Sequence, residues 1–197
     1  VSPQPATRRR GPALIEAIYR ATLAELERTS FAELSFDRIA AAAGTGKAAL
    51  YRRWTGPEEL VLAALTDPVT GFGGHPPAPG TGHLRDDLIT LFTGFAETLD
   101  TPLGRALRPL LAQRNQHPEL LRRIQDLVIR PAQEVLLAVL GEAVTRGEAE
   151  ASRVTPRTVG VGPRLLLIES WMAGKVTEAE VIAVVDEVLL PMFSAPT

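Results

Sequence analysis

Residues Ser35–Leu60 read SFDRIAAAAGTGKAALYRRWTGPEEL, and this stretch decides the fold. Ser35 is placed to N-cap a helix, its hydroxyl accepting a bond from a backbone N–H that has no helical partner. Phe36, Ile39, Ala40 and Ala43 then recur on one face at helical spacing. The alanines keep this helix thin, which lets a second helix approach closely. Gly44 ends it, because glycine takes left-handed backbone angles without a Cβ clash. A second helix is expected to start near Thr45 or Gly46 and run to about Arg53. Leu50 and Trp54 would face inward. Lys47, Ala48, Tyr51 and Arg52 would face outward, with Arg53 at the edge of that face.

An apolar scaffold that holds out a short basic helix bearing an aromatic side chain suits the DNA major groove. Lysine and arginine neutralise phosphates and release counterions, which supplies most of the affinity and makes it salt-dependent. A small residue such as Ala48 lets the helix sit deep in the groove. Tyr51 can bond a phosphate or pack on a thymine methyl. The DNA-contact candidates are Ser35, Thr45, Lys47, Ala48, Tyr51, Arg52 and Arg53. The same residues would suit a core helix hairpin with a solvated charged face, and the specificity of the surrounding pattern argues against that.

Over residues 8–65, and above all in IAAAAGTGKAALYRRW and the following PEEL, the chain resembles the TetR family of bacterial transcriptional repressors. Members usually carry valine and serine where Thr45 and Gly46 stand, then lysine, a small residue and LYRHF. Lys47, Ala48, Leu50, Tyr51 and Arg52 match that pattern. Arg53 replaces the usual histidine and keeps a phosphate donor. Trp54 replaces phenylalanine and keeps the inward aromatic plug. Gly46 lacks the serine hydroxyl. Pro57 stands where a lysine often meets phosphate, although proline is well suited to the first position of a helix.

The whole chain reads as all-α, with about nine helices. Its 197 residues are 45% apolar, enough for a full core. Helix one is expected over about Arg10–Arg28 and helix four over about Pro57–Leu65, which closes an N-terminal DNA-binding domain at 1–65 with its helix-turn-helix at about 35–54. Residues 66–82 hold four prolines and five glycines, the composition of a mobile loop and a domain boundary. Residues 83–197 are then a second helical domain. Pro102 and Pro118 open helices in it, Pro131 should kink or divide the long one, and Gly147 ends it.

Of the last two helices, about Pro156–Ala173 is apolar on more than one face, and the one capped by Thr177 with Glu180 three residues on carries a clean apolar stripe broadened by Ile182 and Phe193. Such a pair could cover its extra surface with a second copy, or bury it all in its own core. The resemblance implies the former, a four-helix bundle across a two-fold dimer. Leu166, Val181, Val184, Val185, Val188 and Met192 are the interface candidates. A dimer also suits a palindromic operator, whose half-sites need two reading heads about one DNA turn apart. The resemblance further implies a small-molecule inducer bound among the C-terminal helices. Phe92, Phe95, Leu107, Leu111, Leu127 and Trp171 are the wall candidates, with Gln113, Arg114 and Arg164 as polar anchors. An apolar lining points to a hydrophobic or aromatic compound.

Other chemistries find little support. The GTGK string at 44–47 lacks the glycine at 41 and the Ser or Thr at 48 that a phosphate loop needs, having Ala41 and Ala48. Gly160 and Gly162 follow no strand, and helix packing explains them better. His75, His83 and His117 are scattered, with no metal-ligand spacing, so neither metal nor cofactor is expected. No recognisable acid/base pair suggests an enzyme. Zero cysteines fit a reducing cytoplasm. No apolar run approaches the ~20 residues of a membrane helix. Arg8–Arg10 have no apolar region behind them and do not read as an export signal; they could form a basic arm against DNA or a solvated tail. Net charge is −2, yet residues 1–60 hold nine Lys/Arg against seven Asp/Glu, the positive groups clustering at 8–10 and 47–53. The reading is a dimeric, ligand-released transcriptional repressor. A helical dimeric interaction module that does not bind DNA is the alternative.

Overall fold

The computed structural model describes residues 11–74 and 78–194. Arg8–Arg10, His75 and the last three residues lie outside it. The described residues contain no strand and form nine helical stretches, several of them subdivided. They group into two compact units. One takes the described residues of Val1–Gly74 with Ala106–Ile124; the other takes those of His75–Arg105 with Gln125–Thr197.

In the first unit, α1 (Pro12–Arg28) packs on α2 (Phe36–Ala43) and α4 (Pro57–Thr66), and the five-residue α3 (Lys47–Tyr51) lies between the latter two in the chain. Ile18, Leu23 and Leu26 of α1 meet Ile39, Leu50, Leu60 and Leu65 in a core closed to solvent. Proline stands at the start of both α1 and α4, where its missing N–H costs nothing. After α4 the chain does not run free. The Asp67 carboxylate accepts from the Val69 and Thr70 N–H groups and from the Thr70 hydroxyl, and Phe72 N–H returns to the Leu65 carbonyl at 2.7 Å. The first half of the Pro/Gly-rich segment is thus a hydrogen-bonded turn capping α4.

The sequence places everything from residue 83 in a second domain. Residues 106–124 group by contact with the N-terminal helices. This segment holds the end of α6 (Pro102–Ala112) and all of α7 (Pro118–Ile124). The reason is apolar: α7 buries Leu120 and Ile124 and packs on α4, while the His117 and Phe31 rings form a T-shaped pair at 4.7 Å between centroids.

In the second unit, α5 (Leu84–Leu99) is central. It packs on α8 (Arg130–Arg146), α10 (Val161–Ala173), α11 (Glu178–Ala183) and the turn Val184–Leu189. The short α9 (Pro156–Val159) precedes α10, and α12 (Leu190–Phe193) ends the described chain. Gly162 lets α5 and α10 approach closely: a Cβ there would stand 2.6 Å from the Phe92 ring and 3.0 Å from Leu189. At Pro131 the helix neither breaks nor divides. Proline lacks the N–H that the carbonyl four residues earlier would use, and residues 125–129 relax into a wider π turn that carries the helix on. Residues 184–189, before Pro191, do the same.

The ends of α5 and α8 are tied by charge. The buried Asp87 accepts from the Thr81 N–H and hydroxyl and lies 3.7 Å from Arg146. Arg146 also bonds Glu148, whose other oxygen accepts from Leu84 N–H. These bonds hold the Glu148 carboxyl below its usual range, the Arg146 guanidinium first and the Leu84 amide second.

Candidate nucleic-acid interface

The interface is built on a hairpin of two short helices. Ser35 caps α2, its Oγ accepting from Arg38 N–H at 3.4 Å. Phe36, Ile39, Ala40 and Ala43 turn inward. Gly44 adopts φ 68°, ψ 37°, the left-handed conformation that reverses the chain, and the Gly44 and Thr45 amides close the last carbonyls of α2. Gly46 then stands at the N-cap of α3 with no side chain to cap it. A helix of this length does not persist alone in water. It is held from within by Ala49, Leu50 and Trp54, all buried, with the Trp54 ring 5.9 Å from Tyr19 of α1. Glu59 of α4 accepts from the Thr55 N–H and hydroxyl, fixing the exit from α3 and lowering its own pKa by those two bonds.

Sealing the inner side leaves the outer side to polar residues. Lys47, Ala48, Tyr51, Arg52 and Arg53 are all exposed, Tyr51 by 58%, whereas Ser35 and Thr45 are half-buried at its margin. Tyr51 is not loose: its ring makes a T-shaped contact with Phe36, the centroids 4.8 Å apart. Arg53 turns one guanidinium N–H back onto the Ala49 carbonyl at 3.1 Å, so it caps its own helix as well as facing solvent. Regular helix ends at Tyr51, two residues earlier than the sequence spacing suggests, although Arg52 and Arg53 amides still bond back to Ala48 and Leu50.

Sequence reasoning missed Asp37. Its carboxylate holds the Lys47 ammonium at 2.7 Å, and that ammonium stands 5.6 Å from the centre of the Tyr51 ring. The hydrogen bond to Asp37 raises the Lys47 pKa. The signal lies in the geometry of the hairpin: residues ten apart across Gly44 come to the same edge of two crossing helices.

The other predicted residues are spread more widely. Of the inducer-site candidates, Leu107, Leu111 and Gln113 fall in the first unit and Phe92, Phe95, Leu127 and Trp171 in the second. Phe92 is buried against Gly162, and Leu127, on the π turn, is 47% exposed. Gln113 keeps a buried side-chain oxygen with no hydrogen-bond partner. Of the polar anchors, Arg114 and Arg164 are exposed.

The predicted dimer residues differ in exposure. Leu166, Val181 and Val185 are at most 1% exposed in the single chain, so they have no area left for a second copy to cover. Val184 and Met192 are half-buried, and Val188 is exposed. The apolar side chains left in solvent on α10 are instead Leu165, Ile168 and Met172, the last by 80%. Among the described residues no three His, Asp or Glu side chains gather as metal ligands would, and no helix is long and apolar enough to cross a membrane.

Residues 18–64 match the profile of bacterial regulatory proteins of the tetR family, and residues 78–188 match that of the tetracyclin repressor-like C-terminal domain. The chain belongs to the TetR family. It is a DNA-binding transcriptional regulator. Among its relatives, the DNA-binding transcriptional repressor TetR of Mycobacteroides abscessus is 31% identical over 182 residues, covering 92% of this chain and 94% of its own. An HTH-type transcriptional regulator of Mycobacterium tuberculosis is 31% identical over 180 residues, 89% of this chain and 86% of its own. The TetR-family fold is also that of solved structures. The fatty acid degradation regulator FadR from Bacillus halodurans aligns with a TM-score of 0.72 at 16% identity, over 93% of this chain and 97% of that one. The flavonoid-responsive regulator FrrA aligns with a TM-score of 0.67 at 20% identity, over 92% and 96%. At such identities the likeness speaks for the fold alone. The family and the relatives are regulators, not enzymes.

Proposed function

We propose that this regulator is a cytoplasmic homodimeric repressor that grips a palindromic operator through α3 and lets go when a small apolar ligand binds. DNA binding belongs to residues 1–65, ligand binding and dimerisation to 83–197. The observation that carries this reading is the division of α3: Leu50 and Trp54 lock it to the scaffold while Lys47, Ala48, Tyr51 and Arg52 stand in solvent. Lys47, Arg52 and Arg53 meet phosphates, Ala48 and Tyr51 face base edges and thymine methyls, and Ser35 and Thr45 border the groove.

The dimer face is the row Leu165, Ile168 and Met172 on α10 with Val188, Val184 and Met192 on the last helix. Its support is exposure of large apolar groups three or four residues apart on one helix, next to polar neighbours. A palindromic operator calls for two reading heads about one helical turn apart, as a dimer supplies.

The ligand is of a hydrophobic or aromatic kind. Within the second unit, Phe95, Leu127 and Trp171 supply the apolar contacts. Such a ligand releases DNA only by the margin with which it prefers the conformation that cannot bind both half-sites.

Selection of fragments from the source genome by the purified chain tests the reading. Enriched fragments should share an inverted repeat, and aromatic or fatty acyl compounds should release them. A chain that enriches no sequence, yet remains a dimer, is the helical interaction module instead.

A further inference from the structure

Two neighbouring residues of α2 meet two residues of α3 one turn apart: Phe36 against Tyr51, and Asp37 against Lys47. Local electrostatics favour the second contact from both sides. Asp37 lies in the first turn of α2, where the partial positive charge of the helix end welcomes a carboxylate. Lys47 is the first residue of α3, where the same partial charge disfavours a cation, and Asp37 offsets it. Ser35 caps α2, so the Asp37 carboxylate is left to Lys47. Both side chains remain accessible, at 67% and 45%.

We propose that Asp37 is a positioning residue for DNA recognition: it fixes Lys47 beside Tyr51 and withholds part of the Lys47 charge, weakening binding to DNA of any sequence more than binding to the operator. The inference rests on the assignment of α3 as the reading helix. In a sequence-independent complex affinity comes from charge, so a carboxylate at the edge of the interface is pure loss. In the operator complex the same contact repays part of that loss, because Lys47 and Tyr51 enter the groove already ordered and surrender less side-chain freedom. Asp37 thereby widens the ratio between operator and random DNA, the quantity that matters among many competing sites.

The test is anisotropy titration of the full chain across a salt series. The probes are a random-sequence duplex and an operator fragment selected from the genome. The proteins are wild type, Asp37→Asn, Lys47→Ala and the double variant. Asp37→Asn should tighten the random duplex by about two- to fivefold, the range for an exposed ion pair. It should steepen the slope of log affinity against log salt by about 0.9, one more phosphate contact. The operator should tighten less, and the effect should vanish when Lys47 is already alanine. An Asp37→Asn variant that leaves the random duplex unchanged overturns the proposal. So does equal tightening of both duplexes, or a gain that persists without Lys47. If Lys47→Ala leaves operator binding at wild-type strength, the fault lies deeper, in the assignment of α3 itself.

Discussion

The hairpin α2–α3 and the pair formed by α10 and the last helix each leave a row of side chains in solvent, and the rows differ in kind. On α3 the row is Lys47, Tyr51 and Arg52; on α10 it is Leu165, Ile168 and Met172. Charged and phenolic groups are well solvated and can wait in water for a partner. Each square ångström of exposed apolar surface costs roughly 25 cal/mol until it is covered. The contrast teaches that the two associations differ in permanence. On the proposed reading, the apolar row is covered by a standing partner, a second copy of the chain. The basic row suits a partner that comes and goes with salt and ligand.

The largest effect should come from spoiling the apolar row. Ile168→Glu with Met172→Glu should give monomers in sedimentation equilibrium and weaken operator binding by about 10²-fold or more, the loss expected when two linked sites become one. A dimer that survives both charges would place the interface elsewhere and remove the contrast.

Next comes the division within α3. Leu50→Ala should lower the urea-derived unfolding free energy by about 3 kcal/mol, because it opens a fully enclosed site. Tyr51→Ala should cost less than about 1 kcal/mol, mainly the lost ring contact with Phe36, yet weaken operator binding about tenfold. Equal effects of the two on stability would mean that the outer face is structural after all.

Much of this division was legible in the sequence. Gly44 announces a reversal because its backbone needs positive φ, and Leu50 and Trp54 announce the inner side by spacing alone. What spacing cannot show is which apolar face of a doubly apolar helix belongs to its own core. Leu166 and Leu165 are neighbours in sequence, yet one is fully buried while the other is 40% exposed. The Asp37–Lys47 contact was hidden for a related reason, since it depends on how two helices cross. The capture of 106–124 by the N-terminal helices was hidden because leucines at helical spacing do not name their partner. The π turns before Pro131 and Pro191 follow from the missing proline N–H, but that chemistry allows a kink equally well.

Gly162→Ala should destabilise by about 1–3 kcal/mol in chemical denaturation, because the Phe92 ring must move to admit a methyl group. An unchanged midpoint would show that α5 and α10 have slack, and that the exposed row on α10 is less firmly presented than the hairpin.

The smallest effect concerns pH. The folded-state pKa of Glu148 is depressed by Arg146 and the Leu84 amide. Its contribution is therefore complete above the unfolded carboxyl pKa, about 4.3, and is lost as pH falls through the lower folded value. Glu148→Gln should remove that part of the acid sensitivity, so that urea midpoints of variant and wild type converge as pH falls through this window. Curves that stay parallel down to the acid limit would deny the carboxylate its role between α5 and α8. The DNA-binding hairpin, which does not contain this tie, serves as the internal comparison.

The central claim is that the outer face of α3 reads DNA. Its most direct test is the salt dependence of binding to a genome-selected operator fragment, measured for wild type and for Lys47→Ala combined with Arg52→Ala. The account predicts a large loss of affinity and a log–log slope shallower by about two phosphate contacts, near 1.8. A double variant that binds the operator with wild-type affinity and wild-type slope would contradict it.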